Sequence, residues 1–484
     1  MEGGRHARAR ATFTVGLPVR GVTRNRGSAS GQGSEHLESP HGDATIFSTR
    51  SRGAAVLPFL LPMMWLVGAA EGVGGRPTFV FWLVLILPLF ILPWLLSCCA
   101  PEESTDGQKV AARQLPHDSA IAERFASLVA PEIDVQRSYV EQGMPAVEGT
   151  LRADSTHVFG ELEKRLAPWH VRPLLESQGG KAVRVLALPV AVEERLRRGS
   201  SRAVNRLLFL ATLATTVFAG AMHSGVNLLQ DPGRFVVGLP YAVALLAILG
   251  VHEMGHYVVA RWHGVRVTLP YFIPVPMGLG TFGAFIQIKS LIKSRRAVFD
   301  IGIAGPLAGL LVALPALYVG LHYTSVVPTN AAAGMQTGSS LLLALMYQLV
   351  HGGELGTATV RLSPVAYAGW IGLFVTALNL MPVGQLDGGH IAYGLFGRRY
   401  ARSIGIGSVL VMLGLGFLVW PGLLTWALLI ALIAGFSHMP ALDDVTPPDG
   451  RRFALGAVAL VLLVLILLPV PAAVRLMNLD SPYQ

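Results

Sequence analysis

Long apolar runs separated by short polar segments that carry arginine set the pattern of this chain. From residue 201 onward, hydrophobic stretches occupy roughly 203–222, 236–260, 299–322, 364–381, 402–419, 422–437 and 453–473. Each is near the ~20 residues with which an α-helix crosses the hydrocarbon core. Two earlier stretches, 54–74 and 78–100, predict a transmembrane hairpin turning at the Gly-Gly-Arg-Pro that begins at Gly74. Residues 339–350, SSLLLALMYQLV, are too short to span and suit an interface instead.

Two regions break the pattern. Across 101–200 charge returns, a helical period runs through Val158–Leu166, and a short apolar run covers Val183–Val190, which together predict a small soluble α/β domain. Residues 1–53 are rich in Gly, Ser and Arg, with eight arginines against four acids, and predict a disordered basic tail. An organelle transit peptide and a start set too early are the competing readings of that tail. The expected fold is therefore an all-α polytopic membrane protein of about nine transmembrane helices plus the small soluble α/β domain. Its parts are a tail (1–53), a hairpin (54–100), the soluble domain (101–200), a membrane domain (201–445) and a last helix with its tail (446–484).

Composition agrees with the pattern and adds an orientation. Hydrophobic residues make up 52% and charged residues 14%, well below the ~25% charge of soluble domains. The net charge of +9 comes from arginine, since lysine occurs only five times. A lipid bilayer accounts for that excess through cytoplasmic loops, so no nucleic-acid partner is invoked. With nine spans and a cytoplasmic N-terminus, Arg195–Arg202, Lys289–Arg296, Arg398–Arg402 and Arg451–Arg452 all fall on one side. The soluble domain is then cytoplasmic. The only cysteines, Cys98 and Cys99, are adjacent and provide neither a disulfide framework nor a thiolate metal site.

The second half of the 236–260 run contains His252-Glu253-Met254-Gly255-His256. Ionisable groups inside an apolar span are costly and mark a site. Residues i and i+4 share a helix face, so both imidazoles can reach one metal ion, with Glu253 beside them as a base for a metal-activated water. A catalytic zinc needs a third protein ligand. A histidine ten residues after the first would be that ligand in one known pattern, but position 262 is Trp262.

The acids that follow the motif are Asp300, Glu354, Asp387, Asp443, Asp444, Asp449 and Asp480. Glu354 and Asp480 fall on the opposite side in this topology. Asp443, Asp444 and Asp449 sit in a polar loop that suits solvated roles, and Asp300 opens a span where a carboxylate favours the helix N-terminus. Asp387 lies in Asn379-Leu-Met-Pro-Val-Gly-Gln-Leu-Asp387-Gly-Gly-His390, where Pro and Gly interrupt the helix. Irregular backbone at that depth needs protein or a water-filled cavity around it. Asp387 is the expected third ligand, and His390 is a rival read as structural.

HEMGH in one span and NLMPVGQLDGGH in a later one resemble the site-2 protease family of intramembrane zinc metalloproteases. Pro270-Tyr-Phe-Ile-Pro274 and Gly280-Thr-Phe-Gly-Ala-Phe285 sharpen the likeness to its bacterial, cyanobacterial and plastid branch with a soluble domain ahead of the catalytic spans, and Glu148-Gly-Thr-Leu-Arg152 adds to it. The resemblance covers about 145–445. It implies one zinc per chain on His252, His256 and Asp387, with Glu253 as general base and Asn379 holding the substrate or its oxyanion. Residues 265–298 are too few for the PDZ domain that other members insert.

Residues 267–290 alternate prolines, aromatics and glycines, and predict a re-entrant loop or β-hairpin near the active site. Its edge, with Phe282 and Gly283, would pair with an unwound substrate. The resemblance implies a transmembrane protein as substrate, and the 101–200 domain could recruit it or bind a regulator. The expected location is the cell inner membrane, with a plastid membrane as the alternative. A catalytically silent relative that only binds membrane proteins, or an ion or solute transporter, is the competing class; the intact Glu253 and the lack of repeated spans argue against them.

Overall fold

The computed structural model describes residues 116–467 apart from 142, 192, 194–200, 277, 328–339, 353–358, 419–421, 436, 437 and 439. The tail at 1–53, the hairpin at 54–100, and the acids Glu354 and Asp480 lie outside the described residues.

The described chain begins with α1 (Pro116–Val129), β1 (Ile133–Glu141), β2 (Met144–Leu151), α2 (Ser155–Leu166), β3 (Val171–Gly179) and β4 (Ala182–Pro189). Asp154 caps α2 by accepting the Thr156 backbone N–H at 3.1 Å. The helix then buries Val158, Phe159, Leu162 and Leu166, one face of a 3.6-residue period. The strands make one antiparallel sheet in the order β1-β2-β4-β3. Helix stretch and strand fall where the sequence pattern put them. The core gathers Phe125, Val129, Ile133, Val147, Leu162, Leu175 and Val185, and it takes in Leu291 and Leu442 from far along the chain.

The membrane part begins with α3 (Arg202–His223) and α4 (Leu239–Trp262), followed by a two-stranded antiparallel hairpin, β5 (Tyr271–Pro274) and β6 (Thr281–Phe285). Next come α5 (Arg295–His322), a small sheet of β7 (Ser325–Val327) with β8 (Thr359–Arg361) around α6 (Leu341–His351), and α7 (Pro364–Leu380). Last are α8 (Asp387–Leu418), α9 (Gly422–Ala434) and α10 (Gly450–Leu467). Among the described residues five helical segments are long and apolar enough to cross a membrane; α6, α7 and α9 are apolar but shorter. The described residues are thus mostly helical, with one four-stranded sheet and two two-stranded sheets, one of them the expected β-hairpin between α4 and the next long helix.

Helix α5 is the hub and packs on α4, α7 and α8. Its approach to α4 depends on Gly255, inside the HEMGH motif: a Cβ there would stand 2.6 Å from the Ala304 carbonyl oxygen and 2.8 Å from the Ala308 Cβ. Ile248, Phe299, Ile303, Leu310, Ala313 and Leu380 fill the resulting core. Gly397 (φ 80°, ψ 173°) breaks α8 into a first segment from Asp387 and a second that contains the expected 402–419 span.

At one end of the bundle the C-terminus of α4 meets the N-termini of α5 and α10. His263 and Arg452 both bind Asp300, through Nε2 at 2.9 Å and through Nε at 2.8 Å. Asp300 therefore serves an ion-paired junction rather than a lone helix cap. The four-stranded sheet and its helices dock at this same end through Lys293–Glu163 (3.2 Å) and Arg398–Glu176 (3.6 Å). The solvated role expected for Asp443 and Asp444 is wrong. Both are buried, with Asp443 accepting the Val445 and Thr446 N–H groups and Asp444 accepting the Tyr393 hydroxyl at 2.7 Å. A buried carboxylate survives where donors surround it, and the loop sequence shows its polarity but not its docking.

Candidate metal centre

Helix α4 buries His252, Glu253 and His256 together, and Asp387 opens α8 directly beneath the broken stretch Met381–Leu386. Gly388 and Gly389 permit that break. The close approach they allow is by the preceding turn itself, since a Cβ on either would collide with the Leu380 or Gly384 carbonyl. Asp387 is brought level with the histidines by this fold-back.

His252 Nε2 lies 3.2 Å from Asp387 Oδ2 and 3.2 Å from His256 Nε2, and His256 Nε2 lies 3.3 Å from the same carboxylate oxygen. Ligands ~2.0–2.1 Å from a tetrahedral zinc stand about 3.3 Å apart, so the triangle has the edge that zinc requires. Among the described residues these three are the group of His, Cys, Asp and Glu side chains able to hold a metal ion. The donor chemistry fits too. The Ile301 carbonyl on α5 can only accept, at 2.7 Å, so His256 Nδ1 donates to it and Nε2 keeps its lone pair for a metal.

A cradle holds the imidazoles from behind. A Cβ at Gly305 would overlap the His256 ring, and one at Gly309 would lie 3.1 Å from His252 Nδ1. The carbonyl of Ile301 and these α5 glycines were not singled out from the sequence. The spacing Gly302, Gly305, Gly309 along one helix face was the available signal.

The other expected site residues fall around this centre. Asn379, next to last in α7, places Nδ2 3.4 Å from His252 Nε2. His390 turns away, with Nδ1 donating to the Leu386 carbonyl at 2.9 Å, so it is not part of the triangle. Phe282 and Gly283 lie in β6, which packs beside α4, and the Ile286 backbone N–H just beyond β6 faces the Glu253 carboxylate. The hairpin is braced from behind. Asn205 Nδ2 donates to the Leu269 and Pro270 carbonyls, Thr215 Oγ1 to Gly280 at 2.7 Å, and the Tyr241 hydroxyl to Leu279 at 2.9 Å.

A His-Glu-x-x-His helix completed by an aspartate from another helix, inside an apolar bundle, has the donor set of a membrane metallopeptidase. Residues 240–420 match the model of peptidase family M50. That is the site-2 protease family which the two motifs resemble. The chain is 42% identical over 290 residues to the probable zinc metalloprotease EGY1, chloroplastic, of Arabidopsis thaliana, covering 54% of this chain and 52% of that protein. Its rice (Oryza sativa subsp. japonica) counterpart is 38% identical over 48% of this chain and 40% of its own length. The probable zinc metalloprotease EGY2, chloroplastic, of Arabidopsis thaliana is 33% identical, with 49% and 42% covered. The chain thus spans about half the length of these curated relatives or less. No solved structure matches it. The relatives are chloroplastic by name, and the expectation of a cell inner membrane finds no support among them.

Proposed function

We propose that this chain is an intramembrane zinc metalloprotease that hydrolyses peptide bonds within or beside the transmembrane segments of other membrane proteins. The observation that carries the reading is the His252–His256–Asp387 triangle, with edges of 3.2–3.3 Å, whose two histidines lie on the helix that also holds Glu253. His252, His256 and Asp387 would hold one zinc, which in such sites lowers the pKa of a water to about 7 and polarises a carbonyl. Glu253 takes the proton of the attacking water and delivers it to the leaving amine. The Asn379 amide donates to the oxygen that becomes negative as the carbonyl is attacked.

A substrate helix hides its carbonyls in internal hydrogen bonds, so it must unwind before it can be cut. Among the described residues strand β6 pairs with β5 alone, which leaves its other edge without a strand partner, and β6 packs near α4. That edge, with Phe282 and Gly283, receives the unwound strand by backbone pairing. Counting α7 and α9 as crossings gives seven spans from Arg202 onward, and the apolar runs in 54–100 raise this to nine. The 101–200 segment then sits with the arginine-rich ends on one face of the membrane, where it can meet substrate or a regulator. A plastid membrane is the proposed location, on the names of the relatives.

The test is Glu253→Gln in the full chain reconstituted with a membrane-protein substrate. Zinc content should stay at one per chain while cleavage falls by at least ~10³-fold. Retained cleavage would show that Glu253 is not the base.

A further inference from the structure

A short piece of chain, Ala441–Thr446, links the sheet domain to the metal centre, beside the Lys293–Glu163 and Arg398–Glu176 contacts. On one side this strap extends the sheet. Leu175 N–H in β3 donates to the Leu442 carbonyl at 2.8 Å, Asp444 N–H donates to the Leu175 carbonyl at 3.0 Å, and the Ser155 and Thr446 hydroxyls bond at 2.9 Å. On its other side the strap pairs with the chain that leaves the hairpin. Leu442 N–H donates to Ile292 and Asp443 N–H to Lys293, both at 2.9 Å. That leg begins at Ile286, whose N–H faces Glu253.

Side chains carry the strap's position into α8. The Tyr393 hydroxyl donates to Asp444 Oδ1 at 2.7 Å and accepts the Ala441 N–H at 2.8 Å, so it makes one bond to each end of the turn. Arg295 completes the anchor, with Nη2 donating to the Leu395 carbonyl at 2.9 Å and Nη1 to the Asp444 carbonyl at 3.4 Å. Tyr393 is fully buried, in the segment of α8 that runs from Asp387 to the break at Gly397. Six residues of helix, about 9 Å, separate Tyr393 from Asp387. With one end of the segment at the metal centre and the other held by the strap, the height and tilt of Asp387 are set by a contact outside the apolar core.

We propose that Tyr393 and Asp444 are positioning residues. The docked sheet domain holds the strap, the strap holds Tyr393, and the first segment of α8 thereby sets Asp387 against His252 and His256. This inference rests on the metalloprotease reading and adds to it a task for the 101–200 domain. The domain is a clamp whose docking completes the ligand triangle, and a partner that lifts it off would loosen Asp387 and the hairpin leg together.

The experiment uses the full chain in detergent with Co²⁺ alone as the probe, because its visible spectrum reports ligand geometry. Tyr393→Phe and Asp444→Asn are compared with Ser363→Ala, which removes the Ser363 cap at the opposite end of α7. Tyr393→Phe and Asp444→Asn should weaken Co²⁺ binding about tenfold and shift its d–d bands. In the zinc-loaded protein they should lower kcat with little change in KM. Ser363→Ala should lower the melting temperature with the spectrum unchanged. Asp444→Asn replaces a charged acceptor of the Tyr393 hydroxyl by a neutral, weaker one at the same size, so it loosens the bond without emptying the site and supplies a folded variant if Tyr393→Phe misfolds. A wild-type Co²⁺ spectrum and affinity in Asp444→Asn and in folded Tyr393→Phe, or an equal shift in Ser363→Ala, overturns the positioning role alone. Wild-type protein that takes up no Co²⁺ overturns the metalloprotease reading and the positioning with it.

Discussion

The His256 ring occupies the space that a side chain at Gly305 would need, and its Nδ1 is bonded one turn earlier on the same helix, to the Ile301 carbonyl at 2.7 Å. Helix α5 therefore sets both the rotamer and the tautomer of this ligand. A methyl group at 305 cannot be absorbed by a flexible tip, because the imidazole is pinned at both ends. Gly305→Ala should weaken metal binding by about 10- to 100-fold, the equivalent of the ~1–3 kcal/mol that an overpacked core group costs. Zinc retention against a graded chelator measures it. Gly309→Ala meets the His252 Nδ1 at 3.1 Å, where small shifts suffice, and should lose less than tenfold. The reverse order of the two variants would show that the glycine face does not set the ligand positions.

The two aspartates at the ends of α5 and α8 should separate stability from metal binding. Asp300 accepts from His263 and Arg452 and touches none of the three ligand atoms. Asp300→Ala leaves two donors without their acceptor, so it should cost about 1.5–3 kcal/mol and keep one zinc per chain. Asp387→Ala should abolish zinc retention. Melting curves and metal analysis on both variants decide it; zinc lost from Asp300→Ala alone would mean that the wrong acid has been assigned.

Elements that follow a local period were legible in the residues. The α2 face of Val158, Leu162 and Leu166, the β4 run and the apolar helices each express a rule that acts within a few residues. The candidate metal-holding group was legible for a related reason, since i and i+4 on a helix need no tertiary knowledge, and the Pro-Gly break marked Asp387. Backbone groups and long-range docking were not. The Ile301 carbonyl is chemically the same as any other, and only the packing of α5 on α4 turns it into the partner of His256. Asp443 and Asp444 look like solvated loop acids until β3, more than 260 residues earlier in sequence, lies against them. Glycines at 255, 305 and 309 carried the helix-packing information, but their contacts depend on which face meets which.

The hairpin brace predicts a substrate effect without a metal effect. Asn205 and Tyr241 donate to the carbonyls of Leu269, Pro270 and Leu279, so they hold the chain entering β5 and the turn before β6. Asn205→Ala and Tyr241→Phe each remove bonds worth about 0.5–1.5 kcal/mol apiece. Cleavage of a reconstituted substrate should fall about 3- to 10-fold, mainly through KM, with zinc content unchanged. Equal loss of kcat and metal would instead tie these residues to the centre itself.

His438 predicts how the docked end of the bundle responds to acid. Its ring is buried and stacks on Tyr393 with centroids 5.6 Å apart and planes 13° apart, and among the described residues neither ring nitrogen has a hydrogen-bond partner. Burial, with His390 and Arg398 nearby, holds its pKa down at about 4. A histidine whose folded value is depressed contributes stability that is whole above its unfolded value of 6.5 and is lost as pH falls towards 4. At pH 5 the loss amounts to about 2 kcal/mol. Glu176 and Asp444 act the other way. Burial raises both carboxyls, so their contribution is whole at acid pH and fades as pH rises through their folded values. Replacing His438 by Phe preserves the stacked ring and removes the proton site. In metal-free protein, where acid release of the metal plays no part, the melting temperature of wild type should drop between pH 7 and pH 5. That of His438→Phe should drop by less over the same range, because one proton site that destabilises the docked end has been removed. An acid drop as large in the variant as in wild type would mean that His438 is not the group that destabilises the docked end.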